Sequence, residues 1–372
     1  MLKYFMKKIL FLIHDLHHGG AEKVLVNLVN NMDRTKFDIT VMALFGGGVN
    51  EQFLAEHIRL IVCHKKMIRG NSHIMKLFSP KQLYRYYVRE RYDIVVSYLE
   101  GPSARIVGGC DVPETKLVSW VHCTMHSAEQ VARSFRSEKE AVDCYNRMNA
   151  VAYVASTAKD AFLKNCAYFG KSVVLYNTNE SDKILEKSKE IAELPGTGIR
   201  WCGVGKITGN KGFDRMIRIL ERLKEDGVDN HLIILGDGPE KDSLIQLTES
   251  CGVSENVTFL GYQANPYKYV SKCDLFVCAS HSEGFSTAAT EALIVGTPVC
   301  TVEVSGMKEM LGENNEWGIV TDNDEDALYQ GIKKLLDDPE LLAHYKEKAA
   351  ERGKMFSTEN TVKAVEDMLL SL

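Results

Sequence analysis

The 372-residue chain is longer than one average domain, and its 45% hydrophobic and 26% charged residues are ordinary for a globular protein. No apolar run is long enough to cross a bilayer, and none of the ten cysteines stands in a C-x-x-C pair, which argues against a zinc site and a disulfide framework. Residues 1–175 carry 24 Lys and Arg against 16 Asp and Glu, whereas the remainder carries 21 against 34. The basic first half predicts an anionic partner, with chance as the alternative.

Short apolar strands alternate with amphipathic helices along the chain. The run ILFLI near the start is predicted as a buried strand rather than a signal peptide, because it ends at His14-Asp15 without a small-residue cleavage site. Continuous apolar strands separated by helices indicate parallel sheets covered on both faces. The candidates are KILFLI, FDITVMAL, IRLIVC, YDIVVSYL, KLVSWVH, AVAYVAS and SVVLY, then IRWCGVG, HLIILG, NVTFLG, DLFVCAS, TPVCTV and GIVTD.

A polar, charged segment at 176–198 separates the two series of strands. We therefore predict an α/β chain of two doubly wound, Rossmann-like domains, residues 1–178 and 179–355, that face a central cleft. A C-terminal helix at 356–372 is expected to pack back on the first domain. Open parallel sheets bind ligands at the carboxyl ends of their strands, so the cleft is the expected site.

The stretch SEGFSTAATEAL follows the strand DLFVCAS and contains two glutamates, Glu283 and Glu291. Its small residues favour a helix capped by Ser286 or Thr287, which places Glu283 in the loop and Glu291 in the second helical turn. Backbone N–H groups at a helix start bind anions. Two carboxylates beside an anion site suit hydroxyl groups on either side of it, as in a sugar and a ribose joined by a diphosphate.

The pattern E-G-F-x-x-x-x-x-E-A, followed by G-T-P-V at the next strand, resembles the E-x7-E signature of the retaining glycosyltransferases of family 4, which have the GT-B fold. The similarity is dense across 201–312 and thinner at 8–33 and 116–123. Further matches stand in the family's order: Gly19-Gly20-Ala21-Glu22 after the first strand, GVGKITGNKGFD at 203–214, GDGPE at 236–240 and NVTFLGY at 256–262.

The resemblance implies roles for the residues that match. Glu291 would bind the ribose hydroxyls and Glu283 the donor sugar, with a solvated carboxylate as the alternative for each. Lys206 and Lys211 would bind the diphosphate and stabilise the charge of the leaving group. Position 206 is more often arginine in the family, and a lysine supplies the charge without the bidentate fork. The implied donor-binding residues are Gly19, Gly20, Gly205, Lys206, Lys211, Gly284, Phe285, Ser286, Thr287 and Glu291.

His122 ends the strand KLVSWVH, where members of the family often carry a histidine near the reacting sugar. The alternative is a histidine that is satisfied in the wall of a domain. The catalytic candidates are therefore Glu283, His122, Lys206 and Lys211. Neither a metal nor another cofactor is expected, because helix capping explains Asp322-x-Asp324 better than metal binding, and no G-x-G-x-x-G follows the first strand.

Residues 64–91 contain eight Lys and Arg, one acid, and the aromatic residues Phe78, Tyr84, Tyr86 and Tyr87. Basic charge with aromatic residues suits an anionic membrane or a polyisoprenyl diphosphate. An ordinary solvated basic helix is the alternative, and nucleic acid is not expected.

The resemblance implies a retaining glycosyltransferase of surface polysaccharide synthesis, cytoplasmic or on the inner face of the cytoplasmic membrane. It would move a hexosyl or N-acetylhexosaminyl unit from a nucleotide diphosphate sugar, a UDP-sugar on family grounds, to a lipid-linked glycan. The alternatives are a nucleotide-sugar epimerase on the same fold and a non-catalytic sugar-binding or scaffold subunit.

Overall fold

The computed structural model describes residues 6–17, 19–67, 70–283, 285–304 and 306–372. The chain divides into two compact units. One comprises the residues up to Asn179 together with Thr358–Leu372, and the other comprises Glu180–Ser357.

The first unit contains an all-parallel sheet with helices between its strands. Its strands are β1 (Lys7–Ile13), β2 (Phe37–Phe45), β3 (Arg59–His64), β4 (Ile94–Ser97), β5 (Lys116–Val121), β6 (Ala150–Tyr153) and β7 (Lys171–Val174). The helices between them are α1 (Gly20–Asn31), α2 (Asn71–Met75), α3 (Pro80–Tyr87), α4 (Pro102–Val107), α5 (Ala128–Ala132), α6 (Glu138–Tyr145) and α7 (Ser156–Asn165). In the described residues the strand order is β3-β2-β1-β4-β5-β6-β7.

Strand β1 lies in the interior of this sheet, between β2 and β4. Ile9 pairs with Ile39 of β2 on one side and with Ile94 of β4 on the other. The run from Ile9 to Ile13 is fully buried, because helices cover both faces of a parallel sheet. The order of the strands reverses between β1 and β4, and ligands bind outside the carboxyl ends of the strands at such a point.

The second unit repeats this architecture. Its strands are β8 (Ile199–Val204), β9 (Asn230–Leu235), β10 (Val257–Gly261), β11 (Leu275–Cys278), β12 (Val299–Val302) and β13 (Ile319–Thr321). Its helices are α8 (Ser181–Ser188), α9 (Phe213–Glu225), α10 (Lys241–Ser250), α11 (Tyr267–Val270), α12 (Thr287–Ile294), α13 (Met307–Leu311), α14 (Glu325–Leu336) and α15 (Pro339–Gly353). In the described residues the order is β10-β9-β8-β11-β12-β13, all parallel.

Helix α9 illustrates how the sequence forms these layers. Met216, Ile217, Leu220 and Leu223 recur at helical spacing, and each is at most 1% exposed. The helix ends before Gly227, which adopts the left-handed conformation with φ 79°. One side of α9 thus joins the core, and its polar side stays at the surface.

The last helix, α16 (Thr358–Leu370), belongs to the first unit. Its residue Glu366 is 5% exposed, accepts a hydrogen bond from the Asp33 amide at 2.6 Å and pairs with the Lys36 ammonium at 2.9 Å. The two contacts tie α16 to the segment that joins α1 to β2.

The predicted class, two doubly wound parallel-sheet domains, is confirmed. The strands of the described residues coincide with the apolar runs of the sequence. Over the same residues, no helix combines the length and the apolar character that a membrane span requires.

Candidate active site

Two loops of the second unit meet where the strand order of its sheet reverses. Strand β8 lies beside β11, and from this pair the order runs outward in opposite directions. Lys206 and Lys211 follow β8, whereas Glu283 follows β11. Because ligands of open parallel sheets bind at this kind of point, the topology places the lysines and the glutamate at an expected ligand site.

Lys211 and Glu283 form an ion pair across this point. The Lys211 Nζ atom lies 2.6 Å from Glu283 Oε1, and the side chains are 29% and 13% exposed. The Ser280 hydroxyl donates to the same carboxylate oxygen at 2.7 Å. Lys211, Glu283, Ser280 and Ser286 line one small cavity, so the two charged groups face a common space.

Helix α12 begins beside this cavity. Ser286 is its N-cap, since its hydroxyl accepts a hydrogen bond from the Ala289 amide at 3.3 Å. Phe285 is buried, with its ring centroid 6.0 Å from that of Phe356, and Thr287 is the first helical residue. Gly284 was also predicted to bind the donor, but it lies outside the described residues.

Glu291 lies in the second turn of α12 and is half-buried. The Tyr267 hydroxyl, from α11, donates to Glu291 Oε1 at 3.1 Å. This hydrogen bond orients the Glu291 carboxylate, which is the predicted contact of the ribose.

The turn after β8 holds the remaining predicted residues of the second unit. Lys206 is exposed and has no ion-pair partner in the described part of the chain. The Gly205 amide donates to the Leu235 carbonyl at 3.0 Å. Gly236 adopts φ 148°, and a Cβ atom on it would lie 1.8 Å from the Gly205 oxygen. Only a glycine at 236 therefore allows the turns after β8 and β9 to come this close.

In the first unit, Gly19 and Gly20 lie between β1 and α1. Gly19 is the N-cap residue of α1 and Gly20 its first residue. A Cβ atom on Gly19 would lie 1.8 Å from the Glu22 carboxylate, whereas one on Gly20 would meet nothing within 4 Å. Burial raises the pKa of Glu22, and the charge of Asp15 acts in the same direction. The absence of a side chain at Gly19 therefore makes room for a carboxyl group.

His122 lies at the end of β5. Its ring lies against those of Tyr98 and Trp120, with centroid distances of 4.8 and 6.4 Å, and its backbone N–H donates to the Glu100 carboxylate at 3.0 Å. The Nε2 atom is buried and has no hydrogen-bond partner among the described residues. Burial lowers the pKa of His122 to about 4, although the charge of Glu100 opposes this shift. The imidazole is therefore neutral near pH 7.

The structure thus groups the predicted residues within each unit. Lys211, Glu283 and Ser286 share one cavity of the second unit, and Gly19, Gly20 and His122 follow two strands of the first. Three neighbours were missed by the sequence analysis: Ser280, Tyr267 and Glu100. Ser280 ends the apolar run DLFVCAS, which is a detectable signal, whereas nothing in the sequence pairs Tyr267 with Glu291 or Glu100 with His122.

The Asp322-x-Asp324 segment begins helix α14. The Asp324 carboxylate accepts a hydrogen bond from the Ala327 amide at 2.8 Å, so the interpretation as a helix cap is confirmed. Within the described ranges, no three His, Cys, Asp or Glu residues are grouped to hold a metal ion. That the reaction needs no metal stays a prediction.

Known families and proteins resemble both units. The family model described as glycosyl transferases group 1 matches residues 185–352, and that of Glycosyltransferase Family 4 matches residues 18–178. The chain is 30% identical to the N-acetylgalactosamine-N,N'-diacetylbacillosaminyl-diphospho-undecaprenol 4-alpha-N-acetylgalactosaminyltransferase of Campylobacter jejuni, over 98% of this chain and 99% of that protein. It is 24% identical to the lipopolysaccharide core biosynthesis glycosyltransferase LpsD of Rhizobium meliloti, over 97% and 96% of the two chains.

Solved structures share the fold at lower identity. HepE of Anabaena, crystallised with UDP, is 20% identical, with a TM-score of 0.77 over 98% of this chain and 100% of that one. Sucrose-phosphate synthase of Thermosynechococcus elongatus is 16% identical, with a TM-score of 0.78 over 98% of both chains. The full-length relative and the shared fold lead to one conclusion: the chain is a GT-B glycosyltransferase and belongs to family 4.

Proposed function

We propose that the protein is a retaining glycosyltransferase that moves a hexosyl or N-acetylhexosaminyl unit from a UDP-sugar to a lipid-linked glycan of a surface polysaccharide. The observation that carries the proposal is the Lys211–Glu283 pair at the strand reversal, with Glu291 eight residues further along. The names of the relatives support the substrate class: the Campylobacter jejuni enzyme acts on a diphospho-undecaprenol-linked glycan, and HepE was crystallised with UDP-glucose.

Different residues bind the ribose, the sugar and the diphosphate of the donor. Glu291, oriented by Tyr267, receives the ribose hydroxyls, and Glu283 receives the hydroxyls of the sugar. The Lys211 ammonium carries three N–H donors, so that it holds a phosphate oxygen while it keeps its contact with Glu283. Lys206, exposed in the neighbouring turn, adds a second positive charge.

Transfer proceeds by front-face displacement. The acceptor oxygen forms a bond to the anomeric carbon on the face from which the bond to the diphosphate oxygen breaks. The electron pair of the broken bond stays on the departing UDP, whose phosphate takes the acceptor proton. Positive charge from Lys206 and Lys211 stabilises the developing negative charge. His122, neutral and with a buried Nε2, binds a neutral hydroxyl of the donor or the acceptor.

Nucleotide release from a panel of UDP-, GDP- and ADP-sugars tests this proposal. The wild type should hydrolyse one UDP-sugar slowly, and Glu291→Ala should lower the release by about tenfold or more, since it loses charged hydrogen bonds to the ribose. Glu249→Ala removes an exposed helix glutamate of the same unit and should change nothing. Conversion of the sugar without release would point to an epimerase, and release from a GDP- or ADP-sugar would overturn the choice of UDP.

We propose further that the first unit binds an anionic membrane through an apolar tip, defined as Ile74, Leu77 and Phe78. These side chains are 48%, 75% and 47% exposed. Lys65 and Lys66 are exposed nearby in the chain, which suits anionic lipid head groups. Ile68 and Arg69, within the same basic stretch, lie outside the described residues.

Two arginines hold the backbone of this tip. Arg105, whose side chain is 1% exposed, donates to the Met75 and Phe78 carbonyls, each at 2.7 Å. Arg136 donates to the two carbonyls between them, at 2.5 and 2.8 Å. Burial opposes the ionisation of Glu140, but hydrogen bonds from Arg105 and Arg136 hold its pKa below the ordinary value. The backbone of the tip is therefore held by one buried arginine, Arg105, and one exposed arginine, Arg136, while its apolar side chains face solvent.

Other contacts exclude parts of residues 64–91 from the proposed membrane surface. Lys81 and Arg85 already pair with Asp111, at 3.2 and 2.5 Å, so their charge is partly neutralised. Tyr84 is 3% exposed and belongs to the core, which corrects its assignment to the aromatic surface. Tyr86, by contrast, is 57% exposed.

Flotation with vesicles of phosphatidylglycerol and phosphatidylcholine at low salt tests the membrane surface. The double variant Leu77→Glu/Phe78→Glu should lose binding, since it places charges where apolar side chains would insert. The double variant Phe169→Glu/Ile191→Glu adds the same charge at sites that are 88% and 91% exposed, and it should bind like the wild type. Equal losses in the two variants, or a wild type that does not float, would contradict this proposal.

A further inference from the structure

The loop that carries Glu283 is joined to the loop that carries Lys211 along its length. The His281 amide donates to the Asn210 carbonyl at 2.8 Å, and the Asn210 side chain donates to the Ser282 carbonyl at 2.8 Å. A Cβ atom on Gly212, which adopts φ 67°, would lie 2.0 Å from the Ala279 oxygen. Two hydrogen bonds and one close backbone approach therefore hold the two loops against each other.

Arg215 of α9 contacts the loop that carries Glu283. One guanidinium nitrogen lies 2.8 Å from His281 Nδ1, and another donates to Asn323 Oδ1 at 2.8 Å. A guanidinium only donates hydrogen bonds, so Nδ1 of His281 accepts. The Asn323 side chain in turn donates to the His281 carbonyl at 3.3 Å. His281, two residues before Glu283, is thus held by its amide, its carbonyl and its ring.

The neighbouring arginines of α9 make a different set of contacts. Arg218 pairs with Asp214 at 2.7 Å and with Glu325 at 2.8 Å, and Arg222 pairs with Asp326 at 2.6 Å. These contacts connect α9 to itself and to α14. Of the three arginines, Arg215 alone has a described contact with the loop that carries Glu283.

We propose that Arg215 is a positioning residue for glycosyl transfer, which acts through His281 and Asn323 on the carboxylate of Glu283. The inference rests on the proposed role of Glu283 as the group that holds the donor sugar. Arg215 sets the direction in which Glu283 faces the sugar, whereas Glu291 and helix α12 hold the nucleotide independently of it. Its loss should therefore affect the sugar-dependent step more than nucleotide binding.

The test compares Arg215→Ala with Arg218→Ala, which removes a guanidinium of similar exposure one turn further along α9. Arg215→Ala should lower the kcat of nucleotide release from the hydrolysed donor by about tenfold, because small misplacements of a positioning group reduce rates to this degree. The Kd for UDP, measured by calorimetry, should stay within about twofold of the wild type. Arg218→Ala should change neither quantity, and the two variants should have similar melting temperatures.

Two further variants separate positioning from charge and from general stability. Arg215→Lys keeps the charge but replaces the two guanidinium nitrogens, one for His281 and one for Asn323, with a single nitrogen on a shorter side chain, so it should not restore the rate. In a Glu283→Gln background, Arg215→Ala should cause less than about a twofold further loss, because the two residues act through one another. Additive losses in this cycle, or equal rates for Arg215→Ala and Arg218→Ala, would overturn the inference. A wild type that neither binds nor hydrolyses a nucleotide sugar would overturn the proposed function instead.

Discussion

The carboxyl ends of the two sheets present different chemistry to a ligand. In the second unit, Lys211 and Glu283 form an ion pair that is only half-buried. In the first unit, His122 presents a neutral imidazole whose Nε2 atom is buried and has no hydrogen-bond partner among the described residues.

The difference indicates what each edge can accept. The Lys211–Glu283 ion pair can add an anionic partner, because the partly exposed ammonium has three N–H donors and uses one of them for Glu283. A buried neutral group favours a neutral hydroxyl, because a charge brought there would lose its hydration without full compensation. The second unit therefore suits a diphosphate and the first a sugar hydroxyl.

The largest effect is expected when the Lys211–Glu283 ion pair of the second unit is removed. Lys211→Ala should lower the kcat of nucleotide release by about a hundredfold, because it removes a donor to the leaving phosphate and leaves Glu283 without its cation. Lys206→Ala, at an exposed lysine without a described ion-pair partner, should have a smaller effect, about tenfold. Steady-state release of nucleotide from the donor of the wild type measures both kcat values, and equal losses would contradict a special role for the Lys211–Glu283 pair.

An intermediate effect is expected at His122 of the first unit, in the pH dependence of the free energy of unfolding. The pKa of His122, about 4 in the folded protein against an ordinary 6.5, means that the unfolded chain binds a proton more readily. Stability should therefore fall as the pH drops from about 6.5 towards about 4, by about 2 kcal/mol between pH 7 and pH 5. Urea unfolding of the wild type and of His122→Phe measures this contribution as the part of the pH dependence that the variant lacks.

His126→Phe is the control, since His126 is exposed and four residues further along the chain. It should keep the pH dependence of the wild type. If His122→Phe also keeps it, the imidazole is not buried in its neutral form, and the contrast between the two edges disappears.

The smallest effect is expected at Tyr267, which contacts the proposed ribose-binding residue Glu291. Tyr267→Phe removes the hydroxyl that donates to Glu291 at 3.1 Å and should weaken UDP binding by about fivefold, equivalent to one ordinary hydrogen bond. Calorimetric titration with UDP measures the change. Tyr269→Phe, in the same short helix, is the matched control, and a similar loss in both variants would show that Tyr267 does not act through Glu291.

Much of the fold was predictable because its signals are local. Apolar runs such as the one ending at Ile13 alternate with helical patterns such as that of α9, and this alternation allows few architectures other than parallel sheets covered by helices. The Ser286 cap and the Asp324 cap were also readable, because a cap is specified by residues within one helical turn. Tyr84 was misassigned to the surface because basic neighbours in sequence do not reveal which face of α3 is buried.

The sequence by itself determined the two-domain class, the order of the motifs and the residue types available for chemistry. The tertiary structure decided which of them meet: Lys211 with Glu283 across 72 positions, Arg215 with His281 across 66, and Arg105 with the Phe78 carbonyl of the apolar tip across 27. Local patterns follow from backbone geometry within a few residues. Long-range pairs depend instead on the order of strands in a sheet, which hydrophobic periodicity does not encode.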